Sequence, residues 1–133
     1  MFWAFKTRCS REFPVIAPVA VDEHGKSLNV NADTVAGAVA QAVKAEKLIL
    51  MTDTEGVKGA NGELMASLTS EEIERLRSTG VIAGGMIPKV ECALNSVRGG
   101  TRKAHIIDGR VKHALLLEIF TDEGVGTQIS AES

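Results

Sequence analysis

The chain has 133 residues, 44% hydrophobic and 24% charged, which is the length and apolar content of one globular domain with a single core. Its 15 Lys and Arg stand against 17 Asp and Glu, a net charge of -2. This excludes the cationic surplus that a nucleic-acid or anionic-membrane binder needs. No apolar run approaches the roughly 18 residues that span a bilayer. Two cysteines, Cys9 and Cys92, have no metal-ligand spacing and suit a reducing cytoplasm better than a disulfide framework.

Residues 1–13 read differently from the rest. Phe2, Trp3, Phe5 and Phe13 are four of the five aromatic residues, and Phe120 is the fifth. A signal peptide places its positive charges ahead of a longer apolar core, whereas here Lys6, Arg8 and Arg11 follow a short one. The stretch reads as a leader distinct from a domain spanning 14–133.

The apolar, β-branched run Pro14-Val-Ile-Ala-Pro-Val-Ala-Val21 predicts a strand with prolines suited to its ends or to an edge. A polar turn, Asp22 to Lys26, leads to Ser27-Leu-Asn-Val30 as a hairpin partner. From Asp33, residues Val35, Ala36, Val39, Ala40 and Val43 recur at helical spacing, predicting a helix that ends near Lys44. Lys47-Leu-Ile-Leu-Met-Thr52 predicts a strand covered on both faces. Thr69 as N-cap with Glu72 three residues on forms a capping box for a helix over 70–78, stopped by Gly80. Met86, Val90, Ala93, Leu94 and Val97 form one helical stripe, with Pro88 in the first turn. A strand at 104–108, a helix at 113–120 and a strand at 126–129 complete the set. The alternation predicts an α/β fold with a largely parallel sheet.

Three segments carry candidate chemistry. Thr52-Asp-Thr-Glu-Gly56 follows a strand, where the crevice outside strand ends accepts ligands; Asp53 there is equally a turn residue. In Gly80 to Lys89, Gly84 and Gly85 free the backbone to approach an anion, and a helix N-terminus with Lys89 in its first turn follows. Its plain alternative is a flexible turn and a solvated lysine, and the P-loop spacing is absent. Asn29-Val-Asn-Ala-Asp33 precedes a helix, where Asn31 or Asp33 can serve as a simple cap.

Taken together, Asn29 to Asp33, Leu50-Met-Thr-Asp53 with Gly56-Val57, Gly84-Gly-Met-Ile-Pro-Lys-Val90, His105-Ile-Ile-Asp-Gly-Arg110 and Leu117-Glu-Ile-Phe-Thr-Asp-Glu-Gly-Val-Gly-Thr127 resemble the carboxyl-terminal half of the acetylglutamate kinases, within the amino-acid kinase family. The resemblance runs from about Pro14 to Ile129. It implies a three-layer α/β/α sandwich, truncated, and phosphoryl transfer from ATP with Mg²⁺ to the side-chain carboxylate of N-acetyl-L-glutamate, a step of arginine biosynthesis. Carried over by motif, Lys89 stabilises the transferring phosphate, Asp33 orients the catalytic lysines and Asn29 binds the acetylglutamate. Thr52, Asp53, Gly56, Val81, Ile82, Ala83, Gly85 and Met86, with Lys89, form the ATP pocket. Glu118, Gly124 and Gly126 resemble the arginine effector site of inhibited members, and the His105 to Arg110 strand end is shared with members that bind a PII-type signalling protein. A full-length chain is expected to be a homo-oligomer. No segment before Pro14 matches the family's glycine-rich turn with its second catalytic lysine, so the chain is expected to be the ATP-binding part, poorly active alone. The rival expectation is a non-catalytic arginine-sensing or regulatory module.

Overall fold

A computed structural model describes residues 14–121 and 124–131. The leader 1–13 with Cys9, and Asp122 and Glu123, lie outside the described residues. The order is β1 (Val19–Val21), β2 (Ser27–Asn29), α1 (Ala32–Ala42), β3 (Lys47–Thr52), β4 (Ser67–Thr69), α2 (Ser70–Ser78), α3 (Met86–Arg98), β5 (Lys103–Asp108), α4 (Ala114–Phe120) and β6 (Gly126–Ser130).

The first predicted strand shortens to its last three residues. Pro14 and Pro18 carry no backbone N–H to give a ladder, and Val15 is 95% exposed. The remainder pairs antiparallel with β2 across the turn, as the hairpin reading expects. Asn31 caps α1, its side chain accepting from the Thr34 N–H. Thr69 and Glu72 form the complete capping box of α2, and Gly80 follows at φ +73°.

A second sheet has the order β3-β5-β6-β4. β3 runs parallel to β5 and β4 parallel to β6, but β6 runs antiparallel to β5. The sheet is therefore mixed, with two of three pairings parallel. In register, Leu48 and Leu50 sit beside Ala104 and Ile106. With Ile129 of β6, they meet Ile73, Val90 and Leu94 of α2 and α3 in one core cluster. Each such fully buried aliphatic side chain contributes roughly 1.5–3 kcal/mol. Among the described residues, the opposite face, with His105, meets α4 through Glu118. Helices thus lie on both sides of the sheet, giving the three layers expected, with a thin outer layer.

That thinness corrects the expectation for β3. Its burial alternates: Leu48 and Leu50 are buried, while Met51 is 51% exposed on the far face. A continuous apolar run reports that a strand is apolar, not that both its faces are covered. Among the described residues, no helix is long and apolar enough to cross a membrane.

Candidate functional site

An open cleft of about 560 Å³ lies at the carboxyl ends of the parallel strands β3 and β5. The loop after β3 contributes Asp53 to Lys58, the loop before α3 contributes Val81, Ile82 and Ala83, and Met86 and Arg110 complete the wall. The loop after β3 is seated by a long-range bond, from the Val57 N–H to Thr127 Oγ1 at 2.8 Å. Gly56 makes that approach possible. Its φ is +143°, and a Cβ there would lie 2.7 Å from both Leu64 Cδ1 and Thr127 Oγ1, closer than any side chain tolerates.

On the other side of the cleft, Gly85 is the N-cap of α3 and gives no side-chain hydrogen bond to the first turn. A Cβ at Gly84 or Gly85 would meet nothing within 4 Å, so open space borders the start of the helix, whose Met86 and Ile87 N–H groups donate to the Ala83 and Gly84 oxygens while the helix dipole keeps its positive end there. Gly84 holds φ +57°, a conformation that favours glycine.

Lys89, one turn into α3, is not a solvated lysine. Its Nζ donates to Asp33 Oδ2 at 2.9 Å, and the two side chains are only 22% and 24% exposed. The pair ties the first turn of α3 to the first turn of α1. Asp33 therefore does not cap α1; Asn31 does. Asn29 lies exposed at the end of β2, four residues before Asp33.

Of the nucleotide set read from the sequence, Asp53, Gly56, Val81, Ile82, Ala83 and Met86 line the cleft together, and Thr52, Gly85 and Lys89 adjoin those lining segments. Thr52 donates its hydroxyl to Asp53 Oδ1. Five lining residues lie outside that set: Thr54, Glu55, Val57, Lys58 and Arg110. Lys58 pairs with Glu55 at 2.9 Å. Arg110 Nε and Nη2 donate to Asp108 Oδ1 and Oδ2 at 2.9 and 2.8 Å. That guanidinium holds the Asp108 carboxyl down to about 2, and Asp108 in turn raises the Arg110 pKa. The signal was the turn Asp108-Gly-Arg110 at a strand end, which places a cation beside the neighbouring strand end.

A second cluster forms behind the sheet. Glu118 accepts from His105 Nδ1 at 2.5 Å and from the Val125 N–H at 3.1 Å. Lys47 Nζ lies 3.9 Å from Glu118 Oε1 and donates to its backbone oxygen at 3.4 Å. His105 and Glu118 are each 6% exposed. Burial lowers the His105 pKa, the Glu118 charge opposing it, and His105 Nε2 is buried with no partner among the described residues. Gly124 and Gly126 lie against this cluster and β5 respectively; a Cβ on Gly124 would approach Glu118 Oε2 to 3.4 Å, and one on Gly126 would lie 2.2 Å from the Ile106 oxygen. The sequence singled out Glu118 and the two glycines, and the fold adds His105 and Lys47.

An α/β chain with this cleft outside its parallel strand ends, closed by a glycine loop and a helix N-terminus, has the architecture of a nucleotide-binding layered protein. The sequence pattern of the amino acid kinase family matches residues 4–108, and the chain belongs to that family. The match begins within the segment read as a leader. Acetylglutamate kinase of Acinetobacter baumannii is 63% identical over 88% of this chain and 39% of its own length. That of Nitrosomonas eutropha is 57% identical over 92% and 42%. The chain thus spans about two-fifths of the curated relatives it matches. N-acetylglutamate synthase from Neisseria gonorrhoeae, solved with coenzyme A and N-acetyl-glutamate, superimposes with a TM-score of 0.81 at 29% identity, over 87% of this chain and 27% of that one. Carbamate kinase from Giardia lamblia bound to AMP-PNP shares the fold, with a TM-score of 0.65 at 17% identity over 86% and 41%.

Proposed function

We propose that this chain is the ATP-binding part of an acetylglutamate kinase, serving phosphoryl transfer from ATP to the side-chain carboxylate of N-acetyl-L-glutamate. The observation that carries it is the cleft at the strand ends of a chain 63% identical to acetylglutamate kinase, with Lys89 held by Asp33 just beyond the Gly84-Gly85 loop. A carboxylate acceptor is ionised at neutral pH and needs no general base. The work left to the protein is to align two anions and neutralise charge on the moving phosphoryl group. Lys89 and the α3 N-terminus supply positive potential at that point. Asp33 fixes the lysine so that no reorientation is needed as charge develops. Asn29 contacts the acetylglutamate, on the α1 side of Lys89.

Mg²⁺ enters with the nucleotide. Such an ion is held chiefly by phosphate oxygens. When bound, the ion neutralises the charge shared by the phosphates.

The test is a titration of the isotope-labelled chain with MgATP, followed by NMR. Resonances of Gly56, Val81 to Ala83 and Met86 shift with millimolar or weaker affinity, Lys89→Met weakens binding severalfold, and the chain alone phosphorylates no acetylglutamate. Absence of any shift in these residues at saturating nucleotide refutes the reading, and robust turnover by the chain alone refutes its incompleteness.

A second reading is favoured by the His105, Glu118 and Lys47 cluster. It is an arginine effector site in the same enzyme, or the whole role of a regulatory module. The N-acetylglutamate synthase from Neisseria gonorrhoeae, which shares this fold, was also solved with coenzyme A and L-arginine. Calorimetry with arginine separates the readings: tight arginine binding without nucleotide binding favours the module. A PII-type partner at the His105 to Arg110 strand end, homo-oligomerisation of the full-length protein and a cytoplasmic location rest on the resemblance.

A further inference from the structure

The cations in and beside the cleft are not equivalent: Lys58 lines it paired with Glu55, Arg110 lines it, and Lys89 adjoins it. Lys89 commits one of its three protons to Asp33 and sits in the first turn of a helix, where the backbone adds positive potential. Arg110 sits in the turn after β5, tied down by the Gly109 N–H donating to the Thr52 oxygen at 2.8 Å. Its own backbone N–H also donates to Asp108 Oδ1, at 2.9 Å. Asp108 is 9% exposed on its side chain, whereas the Arg110 side chain is 65% exposed and reaches the cleft wall.

The bidentate bond consumes the Nε and Nη2 edge of the guanidinium and matches its charge one for one. Asp53 and Glu55 add further negative charge around it. A phosphate approaching Arg110 therefore meets a cation already neutralised and bordered by two more carboxylates. Three N–H donors remain on Nη1 and the outer side of Nη2, facing this carboxylate-rich surround, and beside them the flat face of the guanidinium, held in one plane by Asp108, is open; a guanidinium face stacks on aromatic rings. Among the described residues, the one Phe, Tyr or Trp is Phe120 on α4, so the cleft wall has no aromatic ring to receive a base. Val81 and Met86 supply its partly exposed apolar surface.

We propose that Arg110 is the base-stacking residue of the cleft, covering one face of the purine of the nucleotide, and that Asp108 is the positioning residue that keeps its plane fixed. This rests on the nucleotide reading above and divides the site by chemistry: phosphates at Lys89 and the α3 N-terminus, base at Arg110.

The test is an NMR titration of the full chain with three separate probes: adenosine, MgATP and inorganic tripolyphosphate. Adenosine alone moves the Arg110 Nε–H resonance upfield by ring current, MgATP moves it equally, and tripolyphosphate leaves it in place. Arg110→Ala weakens adenosine binding about fivefold and leaves tripolyphosphate binding unchanged. Asp108→Asn weakens adenosine binding while the arginine is still present. The proposal is overturned if Val81 and Met86 respond to adenosine while Arg110 does not and Arg110→Ala binds it normally. It is equally overturned if tripolyphosphate moves Arg110 and the variant loses it, which makes Arg110 a phosphate ligand. If no cleft resonance responds to MgATP, the nucleotide reading itself fails and the proposal falls with it.

Discussion

Replacing Lys89 removes one end of the ion pair that joins the first turns of α1 and α3. Judged by local pattern, Lys89 is an exposed lysine, and its loss leaves stability almost unchanged. The structure reverses this expectation. Exposed pairs contribute about 0.2–1 kcal/mol, and breaking a fully buried one costs about 3–5 kcal/mol because a charge is left without a partner. With the side chains 22% and 24% exposed, the Lys89–Asp33 pair falls between these limits, at about 1.5 kcal/mol. For a chain of this size that lowers the melting midpoint by about 5 °C. Lys89→Met keeps the apolar stem and isolates the charge. Urea unfolding followed by far-UV circular dichroism should place Lys89→Met and Asp33→Asn each about 1–2 kcal/mol below the parent chain, and the double variant should show a coupling of about 1 kcal/mol. Single variants within about 0.3 kcal/mol of the parent, with no coupling, would refute the claim that the pair holds the two helices together.

Three further outcomes are expected. Gly126→Ala forces a Cβ to within 2.2 Å of the Ile106 oxygen at φ +152°, so it should lose about 3 kcal/mol or more in urea unfolding; a loss under 1 kcal/mol would mean that β5 and β6 separate easily. Thr69→Ala removes the hydroxyl that accepts from the Glu72 N–H and should cost about 1 kcal/mol. The Glu72 carboxyl, now held below its ordinary range chiefly by the Thr69 backbone N–H, should then titrate higher by NMR. Burial lowers the His105 pKa, so around its ordinary pKa of about 6.5 the unfolded chain binds more protons than the folded one. Stability should therefore rise with pH through that region and fall as pH drops below it. His105→Gln should flatten the dependence, and an unaltered slope would assign it to other groups.

Much of the local structure was legible because its causes are local. The Thr69 to Glu72 capping box, the α3 stripe from Met86 to Val97 and the apolar β3 run each depend on neighbours within a few residues, and each forms where the pattern indicates. β4 escaped notice because three residues, Ser67 to Thr69, are too few for a periodicity and also serve as the run-in to the cap. The largely parallel sheet forms as expected, but the direction of β6 was not legible, because alternation of strands and helices fixes connections and not each pairing, and the seven-residue helix α4 leads into a strand that pairs antiparallel with β5.

The candidate site divides in the same way. Glycine loops, a helix start and the motif set from Asn29 to Thr127 point to both walls of the cleft, since backbone freedom and helix polarity are properties of short segments, and leave five of its lining residues unread. The pairing of charges is not such a property. Lys89 meets Asp33 across 56 positions and Lys47 meets Glu118 across 71, while Arg110 turns back on Asp108, which fixes the plane of its guanidinium. Composition and spacing by themselves determined an α/β alternation without a large charged field, and the resemblance of the motifs to the amino-acid kinase family pointed to much of the cleft. Only the tertiary structure decided that Lys89 and Lys47 are paired and which cations face the cleft, because the first depends on distant carboxylates that the packed core brings near and the second on how the strand ends converge.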